Sequence, residues 1–447
     1  MMAFLKSSKK KKKAILRHYL GEGDIVAHRF HLRSDTENEG VLVVDSSKMI
    51  RLNGTALDFT GFFLEGLSDE QVVKKIRVKY KKVKKDKVRY DYLKFKEKLV
   101  GVINDDEKVV TKIQVEPMDT DKLTLSAPYR MDLALTYKCQ NKCCHCYNEP
   151  KRDVKELEKE KWIKILDRLW DIGVPHIVFT GGEPTLRNEL PDLIAHAEKN
   201  GQITGIITNG RRLADSKYLN RLVEAGLDHV QITLESFNST THDEITGSNG
   251  AWEETVSGIK NAQKADIYLS TNTTVLDQNK GEIPETVQFI SGLGVKNVAL
   301  NGVIRAGSGK DSKAVTLEEL SKLLPEVKEI AVKEELNFVW YTPTPYCELN
   351  PVNMDLGIKQ CTACIINMAV EPNGDVLPCQ SYYEPLGNLL SDPWDSIWNN
   401  TQCQNFRNRA YVPEKCTSCR LLDVCGGACP LSWTAGDYIC LDRHSSG

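Results

Sequence analysis

From Met131 onward, short apolar runs alternate with amphipathic stretches. The apolar runs are Leu133–Leu135, His176–Phe179, Gly205–Ile207, His229–Leu234, Tyr268–Val275 and Asn297–Leu300. Between them lie Trp162–Trp170, Leu190–Ala197, Tyr218–Ala225, Thr255–Ala262 and Thr286–Leu293. This alternation predicts parallel βα units. Six units in about 210 residues make an open, partial barrel, since a closed eight-unit barrel takes about 250. Chemistry in such barrels sits at the C-terminal ends of the strands.

The first hundred residues read differently. Val41–Val44 and Met49–Leu52 predict two short strands joined by a turn at Asp45-Ser46-Ser47. Helical periodicity follows over Thr55–Leu64, Asp69–Tyr80 and Val88–Val100, with Ser68 and Asp69 as N-cap candidates. Strands followed by three helices look like a winged-helix module. The expected organisation is a basic disordered tail over 1–14, this winged-helix-like domain over 15–103 and a linker over 104–130. An α/β partial (β/α)6 TIM-like barrel over 131–340 and a Cys-rich domain over 341–447 complete it.

Charge sharpens the division. Residues 1–100 hold 24 Lys and Arg against 13 Asp and Glu, although the whole chain has a net charge of −2. A basic first module beside an acidic body predicts an acidic partner. Lys74, Lys75, Lys79, Lys81, Lys82, Lys84, Lys85 and Lys87 suit DNA, a peptide added as an extra strand, or simply a solvated face. There is no run of eighteen apolar residues, so no membrane helix is expected. The run Lys9–Lys13 precedes no long apolar stretch and does not read as an export signal, which predicts a cytoplasmic protein.

Fourteen Cys is high, and ten of them lie at or after Cys347. Without an export signal, ligation of metal or clusters is the better reading than disulfides. Cys139, Cys143 and Cys146 follow the first barrel strand with C-x3-C-x2-C spacing. Three thiolates on one loop can hold three irons of a cubane and leave the fourth open for chemistry. A zinc site fits the spacing alone equally well. Gly181, Gly182 and Glu183 end the second strand, where two glycines allow close backbone approach to a ligand. Thr208-Asn209-Gly210 ends the third strand, and Leu234-Glu235-Ser236 the fourth.

These pieces together resemble the radical S-adenosylmethionine (SAM) superfamily. Cys139, Cys143 and Cys146, with His145 and Tyr147 around them, match its cluster motif. Gly181, Gly182 and Glu183 match the segment that binds the methionine amino group, and Glu235 and Ser236 fall at the ribose-contacting strand end. The resemblance implies a 5′-deoxyadenosyl radical made by reductive cleavage of SAM. Cys144 falls outside the three-ligand pattern and reads as a structural thiol.

The C-terminal cysteines, with Gly374-x4-Cys379 and Cys416-x2-Cys419-x5-Cys425-x3-Cys429, resemble the SPASM module. The resemblance implies two auxiliary four-iron clusters, one on Cys361, Cys364, Cys379 and Cys429, the other on Cys416, Cys419, Cys425 and Cys440. That makes three 4Fe-4S clusters with SAM as cofactors. Zinc remains the alternative for Cys416-x2-Cys419 taken alone. Cys347 and Cys403 have no assigned partner and are expected as buried free thiols.

Gln380 follows Cys379 where sulfatase-maturing relatives carry an Asp base, and an amide takes no proton. Thr246 stands where many relatives carry an Arg. Residues 15–103 resemble the PqqD-like precursor-peptide-recognition module. The expected function is modification of a ribosomally made peptide by thioether or carbon–carbon cross-linking. The leader would bind residues 15–103, and ferredoxin or flavodoxin would supply electrons. Neither membrane nor nucleic acid is expected as a partner. The alternatives are tailoring of a tetrapyrrole or quinone, a DNA-binding iron–sulfur redox sensor, or an electron carrier. Gly181-Gly182-Glu183 argues against the carrier, which needs no open iron.

Overall fold

A computed structural model describes residues 15–26, 28–34, 36, 38–45, 48–104, 125–148 and 152–436. The tail over 1–14, most of the linker, Ser46, Ser47 and Cys440 lie outside the described residues. The chain divides into two compact units. One holds the described residues up to Ala127 with Arg168–Pro175, the other Pro128–Asp167 and the described residues from His176.

The first unit contains a four-stranded antiparallel sheet, β1 (Ile15–Leu20), β2 (Arg29–Ser34), β3 (Glu39–Val44) and β4 (Lys48–Asn53), in sequential order. β3 and β4 pair with Leu42 opposite Ile50. Three helices follow: α1 (Gly54–Leu64), α2 (Asp69–Lys79) and α3 (Lys85–Ile103). Ser68 caps α2 in a reciprocal capping box with Gln71. Phe30, Leu32, Leu42, Val44 and Leu52 of the sheet pack with Leu99 and Ile103 of α3. Strands β1 and β2 add to the two expected ones. On β2 the apolar Phe30 and Leu32 alternate with the polar His31 and Arg33, and all four are buried, so both faces of the strand are covered.

In the second unit seven parallel strands run in sequence order. They are β5 (Arg130–Thr136), β6 (His176–Gly181), β7 (Ile203–Thr208), β8 (His229–Thr233), β9 (Tyr268–Val275), β10 (Asn297–Gly302) and β11 (Asn337–Trp340). The six expected strands are all present, and β11 is a short seventh at the edge. Leu133, Phe179, Ile206 and Val230 are fully buried, as strands covered on both faces require.

The helices alternating with these strands are α4 (Lys159–Ile172), α5 (Leu190–Asn200), α6 (Ser216–Glu224), α7 (Ser239–Thr246), α8 (Ala251–Gln263), α9 (Ile283–Gly292) and α10 (Leu317–Lys333). The sheet does not stop at β5. β12 (Asn367–Val370) pairs parallel to it, and β13 (Asp375–Leu377) and β14 (Gly387–Asn388) continue antiparallel. The boundary expected at 340/341 therefore falls inside one unit sharing a ten-stranded sheet. Short helices α11 (Trp394–Trp398) and α12 (Thr401–Arg407) follow. Among the described residues no helix is long and apolar enough to cross a membrane.

Candidate active site

The loop leaving β5 carries Cys139, Cys143 and Cys146. It has no regular structure of its own and is pinned from outside. Lys142 N donates to Thr246 O (2.8 Å) and Cys144 N to Ile245 O (3.0 Å), both at the end of α7. On the opposite side, Gly182 N donates to Thr136 O (2.7 Å) and Glu183 N to Lys138 O (2.9 Å). A Cβ on Gly182 would stand 2.3 Å from Lys138 O, so only glycine lets β6 end against this loop.

The three cysteines line one cavity of about 580 Å³ with Tyr137, Asn148 and Arg152. Burial pushes the Cys139 thiol up to about 11. Cys143 is held well above its usual range, first by burial, then by the nearby Glu235, Cys146 and Cys139 charges. Crowded, partly buried thiols of this kind are costly to ionise unless a cation is held among them. Their donor chemistry fits an iron–sulfur cluster. Among the described residues no three His, Cys, Asp or Glu side chains close on one point as ligands of a single ion would. A cubane takes one thiolate per corner iron, so its donors stand further apart. Cys144 faces away, packed against Ile245, Leu276 and Val303, as a structural thiol would be.

Glu183 is fully buried. Its Oε1 accepts from Thr185 N (3.0 Å), Thr185 Oγ1 (2.6 Å) and Thr208 Oγ1 (2.8 Å), and its Oε2 from Asn209 N (2.8 Å). Burial raises its carboxyl while these four donors pull against that. The carboxylate expected beside the methionine amine thus clamps the end of β7. Gly181 and Gly182 pack against the cluster loop, where Thr136 O and Lys138 O leave no room for a side chain.

Glu235 and Ser236, expected at the ribose, are also fully buried and engaged within the protein. Glu235 Oε2 accepts from Thr274 N (2.9 Å), and its Oε1 stands 3.0 Å from His145 Nε2. Burial works against a charge on His145, but the Glu235 carboxylate and Cys144 together outweigh it and bring the ring up to about 10. Ser236 Oγ donates to Glu282. These two residues position the cluster loop and the β8 end.

Several contributors carry no local motif. Asn209 Nδ2 lies 3.8 Å from Cys139 Sγ. Arg211 donates to Asn141 Oδ1 (2.7 Å) and Ser248 Oγ (2.8 Å). It brings a guanidinium near Thr246, the position that lacks one. Glu371, fully buried beside the end of β12, accepts from Tyr137 OH (2.7 Å) and from Arg152. The Arg152 guanidinium lies 4.9 Å above the Tyr383 ring. Gln380 lines a small cavity with Tyr137, Tyr147, Asn148 and Gly181, and its Oε1 has no hydrogen-bond partner among the described residues.

Downstream, Cys361, Cys379 and Cys429 come together. Burial, then the neighbouring Cys429 and Cys379 charges, raises Cys361; burial foremost takes Cys379 up to about 12. Cys364, expected as the fourth ligand of this group, is disulfide-bonded to Cys403 in this structure. A sulfur in that bond offers no thiolate, and Cys403 is not the free thiol expected. Cys416 and Cys419 form a tight turn, with Cys419 N donating to Cys416 O (3.0 Å). Cys425 is buried and accepts from Tyr346 N at 3.4 Å.

Residues 133–290 match the Radical SAM superfamily, and residues 361–420 match SPASM, an iron–sulfur cluster-binding domain. The chain thus carries a Radical SAM domain followed by a SPASM domain. Curated relatives of this radical SAM chain include the PqqA peptide cyclase of Bradyrhizobium diazoefficiens. That relative is 29% identical over 326 residues, 68% of this chain and 82% of its own length. The Fe-coproporphyrin III synthase of Methanosarcina barkeri is 28% identical over 325 residues, 66% of this chain and 81% of its own. Among solved structures, Streptococcus suis SuiB bound to S-adenosylmethionine shares the fold. Its TM-score is 0.68 at 20% identity, covering 91% of this chain and 96% of SuiB. The protein is therefore a radical SAM enzyme with iron–sulfur and SAM cofactors.

Proposed function

We propose that this enzyme modifies a ribosomally made precursor peptide, forming a thioether or carbon–carbon cross-link. The observation that carries the reading is the arrangement of Cys139, Cys143 and Cys146 around one cavity walled by Tyr137 and Arg152. A curated relative is a peptide cyclase, and a SuiB structure is bound to its precursor peptide SuiA. The cofactors would be three 4Fe-4S clusters and SAM. The SAM cluster would use Cys139, Cys143 and Cys146. One auxiliary cluster would use Cys361, Cys379 and Cys429, the other Cys416, Cys419, Cys425 and Cys440.

When bound, these groups supply reductive cleavage of SAM and hydrogen-atom abstraction from substrate. The chain's own residues orient and shield. Gly181 and Gly182 let backbone approach SAM closely. Glu235 and His145 hold the loop. Tyr137 and Arg152 wall the cavity, and burial keeps the Tyr137 hydroxyl protonated, donating its hydrogen bond to Glu371.

The leader would bind residues 15–103 by adding a strand beside β4, an edge of its sheet that carries Lys48 and Arg51. Ferredoxin or flavodoxin would deliver the electron, in the cytoplasm. Tailoring of a tetrapyrrole is the second reading, favoured by the coproporphyrin synthase among the relatives.

The test is anaerobic turnover with SAM and reductant. Short peptides encoded beside the gene and Fe-coproporphyrin III are offered separately, with products read by mass. Loss of two hydrogens from a peptide supports the proposal. Conversion of the porphyrin alone overturns it.

A further inference from the structure

Cys361 and Cys364 have the C-x2-C spacing of a paired chelate, yet only Cys361 joins Cys379 and Cys429. Cys364 is bonded to Cys403, which lies 39 residues downstream on α12. Both residues are fully buried. The main chain at Cys364 is left-handed, with φ at +58°, an arrangement a non-glycine residue holds only when its surroundings impose it. Cys364 N donates to Asn367 O (3.1 Å), and Cys364 O accepts from Arg407 Nε (2.8 Å). Arg407 is also on α12, so the helix grips Cys364 by a covalent bond and a hydrogen bond. The same helix packs on the Cys379 loop. Gln402 donates to Tyr382 OH (2.8 Å), and Phe406 meets the Tyr382 ring edge-on at 5.1 Å. Cys403 therefore competes for Cys364 within the neighbourhood of the auxiliary thiols.

We propose that Cys364 has two sulfur-bound states. In one it is the disulfide partner of Cys403, and the Cys361–Cys379–Cys429 site keeps one iron open to a soft anionic donor such as a substrate thiolate. In the other it is a free thiolate that closes the site as fourth ligand. The inference rests on the reading of this region as an iron–sulfur domain. Because both sulfurs are buried, the state is set as the domain assembles around its cluster. The chemistry is thiol–disulfide exchange. The Cys364 and Cys403 thiols lose two hydrogens and form one S–S bond, while a small-molecule disulfide such as glutathione disulfide is split into two thiols. A dithiol reverses the step.

The test uses full-length protein carrying Cys139→Ala, Cys143→Ala and Cys146→Ala, so that only auxiliary clusters report. One sample is reconstituted with iron and sulfide after treatment with glutathione disulfide, the other after a phosphine reductant. Three quantities are read: the Cys364–Cys403 linked peptide by non-reducing mass mapping, the iron content, and the auxiliary electron-paramagnetic-resonance spectrum with and without added 2-mercaptoethanol. The expected result is a linked peptide and a thiol-dependent spectral shift in the oxidised sample only. Adding Cys403→Ser should abolish both. If that variant does not fold, the two samples that retain Cys403 carry the comparison alone. A normal auxiliary iron content without linked peptide, or with identical thiol responses in both samples, overturns the proposal. Loss of all auxiliary iron overturns the iron–sulfur reading and the proposal with it.

Discussion

The Tyr137 hydroxyl donates a 2.7 Å hydrogen bond to Glu371 Oε1, across 234 residues of sequence. It joins the cluster loop to the end of β12, and Arg152 completes the contact from the cavity wall. Glu371→Gln removes the charge that balances Arg152. Breaking a buried pair from one side costs about 3 kcal/mol or more, and the part-exposed Arg152 side chain places this case at the low end. Urea unfolding of the reconstituted protein should show a midpoint lowered accordingly. An unchanged midpoint would remove Glu371 from the account.

Glu235 holds His145 at 3.0 Å and thereby holds the loop between two cluster cysteines. Groups that orient metal ligands typically contribute 10- to 100-fold. Glu235→Gln should lower 5′-deoxyadenosine release by about that factor, with auxiliary iron unchanged. Release at the unmodified rate would mean that Glu235 only fills space.

Gly182→Ala would drive a methyl group to 2.3 Å from Lys138 O and 2.6 Å from Tyr137 O. The cluster loop must then move. The expected outcome is loss of SAM binding by calorimetry, while the separate 361–429 site keeps its iron. Retained SAM affinity would contradict the close passage of β6 beneath the loop.

His229 is part-buried against His176, with Nε2 atoms 2.7 Å apart, and its desolvation, then the nearby Arg130 charge, drops its pKa to about 3. A base with a depressed folded-state pKa must lose its proton to be buried. Its stabilisation is complete above the unfolded value of about 6.5 and declines as pH falls through that value toward 3. Its slope is at most about 1.4 kcal/mol per pH unit. Denaturation midpoints of cluster-free protein should fall between pH 7 and 4, and His229→Gln should flatten that dependence. Equal slopes would contradict the assignment.

Much of this was legible in the sequence because it is local. The six strand runs, the cysteine loop after β5 and the Ser68 cap depend on residues close together in the chain. Strand β2 alternates polar and apolar positions, but with two apolar residues, Phe30 and Leu32, in six it gives a weak signal. The roles of Glu183 and Glu235 were harder to read. A carboxylate at a strand end looks the same whether it faces a ligand or clamps a neighbouring strand. The Arg152–Glu371 and Cys364–Cys403 pairs close over 219 and 39 residues, and no spacing rule announces them.

The central claim is that Cys139, Cys143 and Cys146 hold the cluster at which SAM is cleaved. The direct measurement compares unmodified enzyme with the Cys139→Ala, Cys143→Ala, Cys146→Ala variant, both reconstituted anaerobically and given SAM and reductant. The account predicts about twelve irons and 5′-deoxyadenosine release for the first, and about eight irons with no release for the second. Continued release from the variant would contradict it.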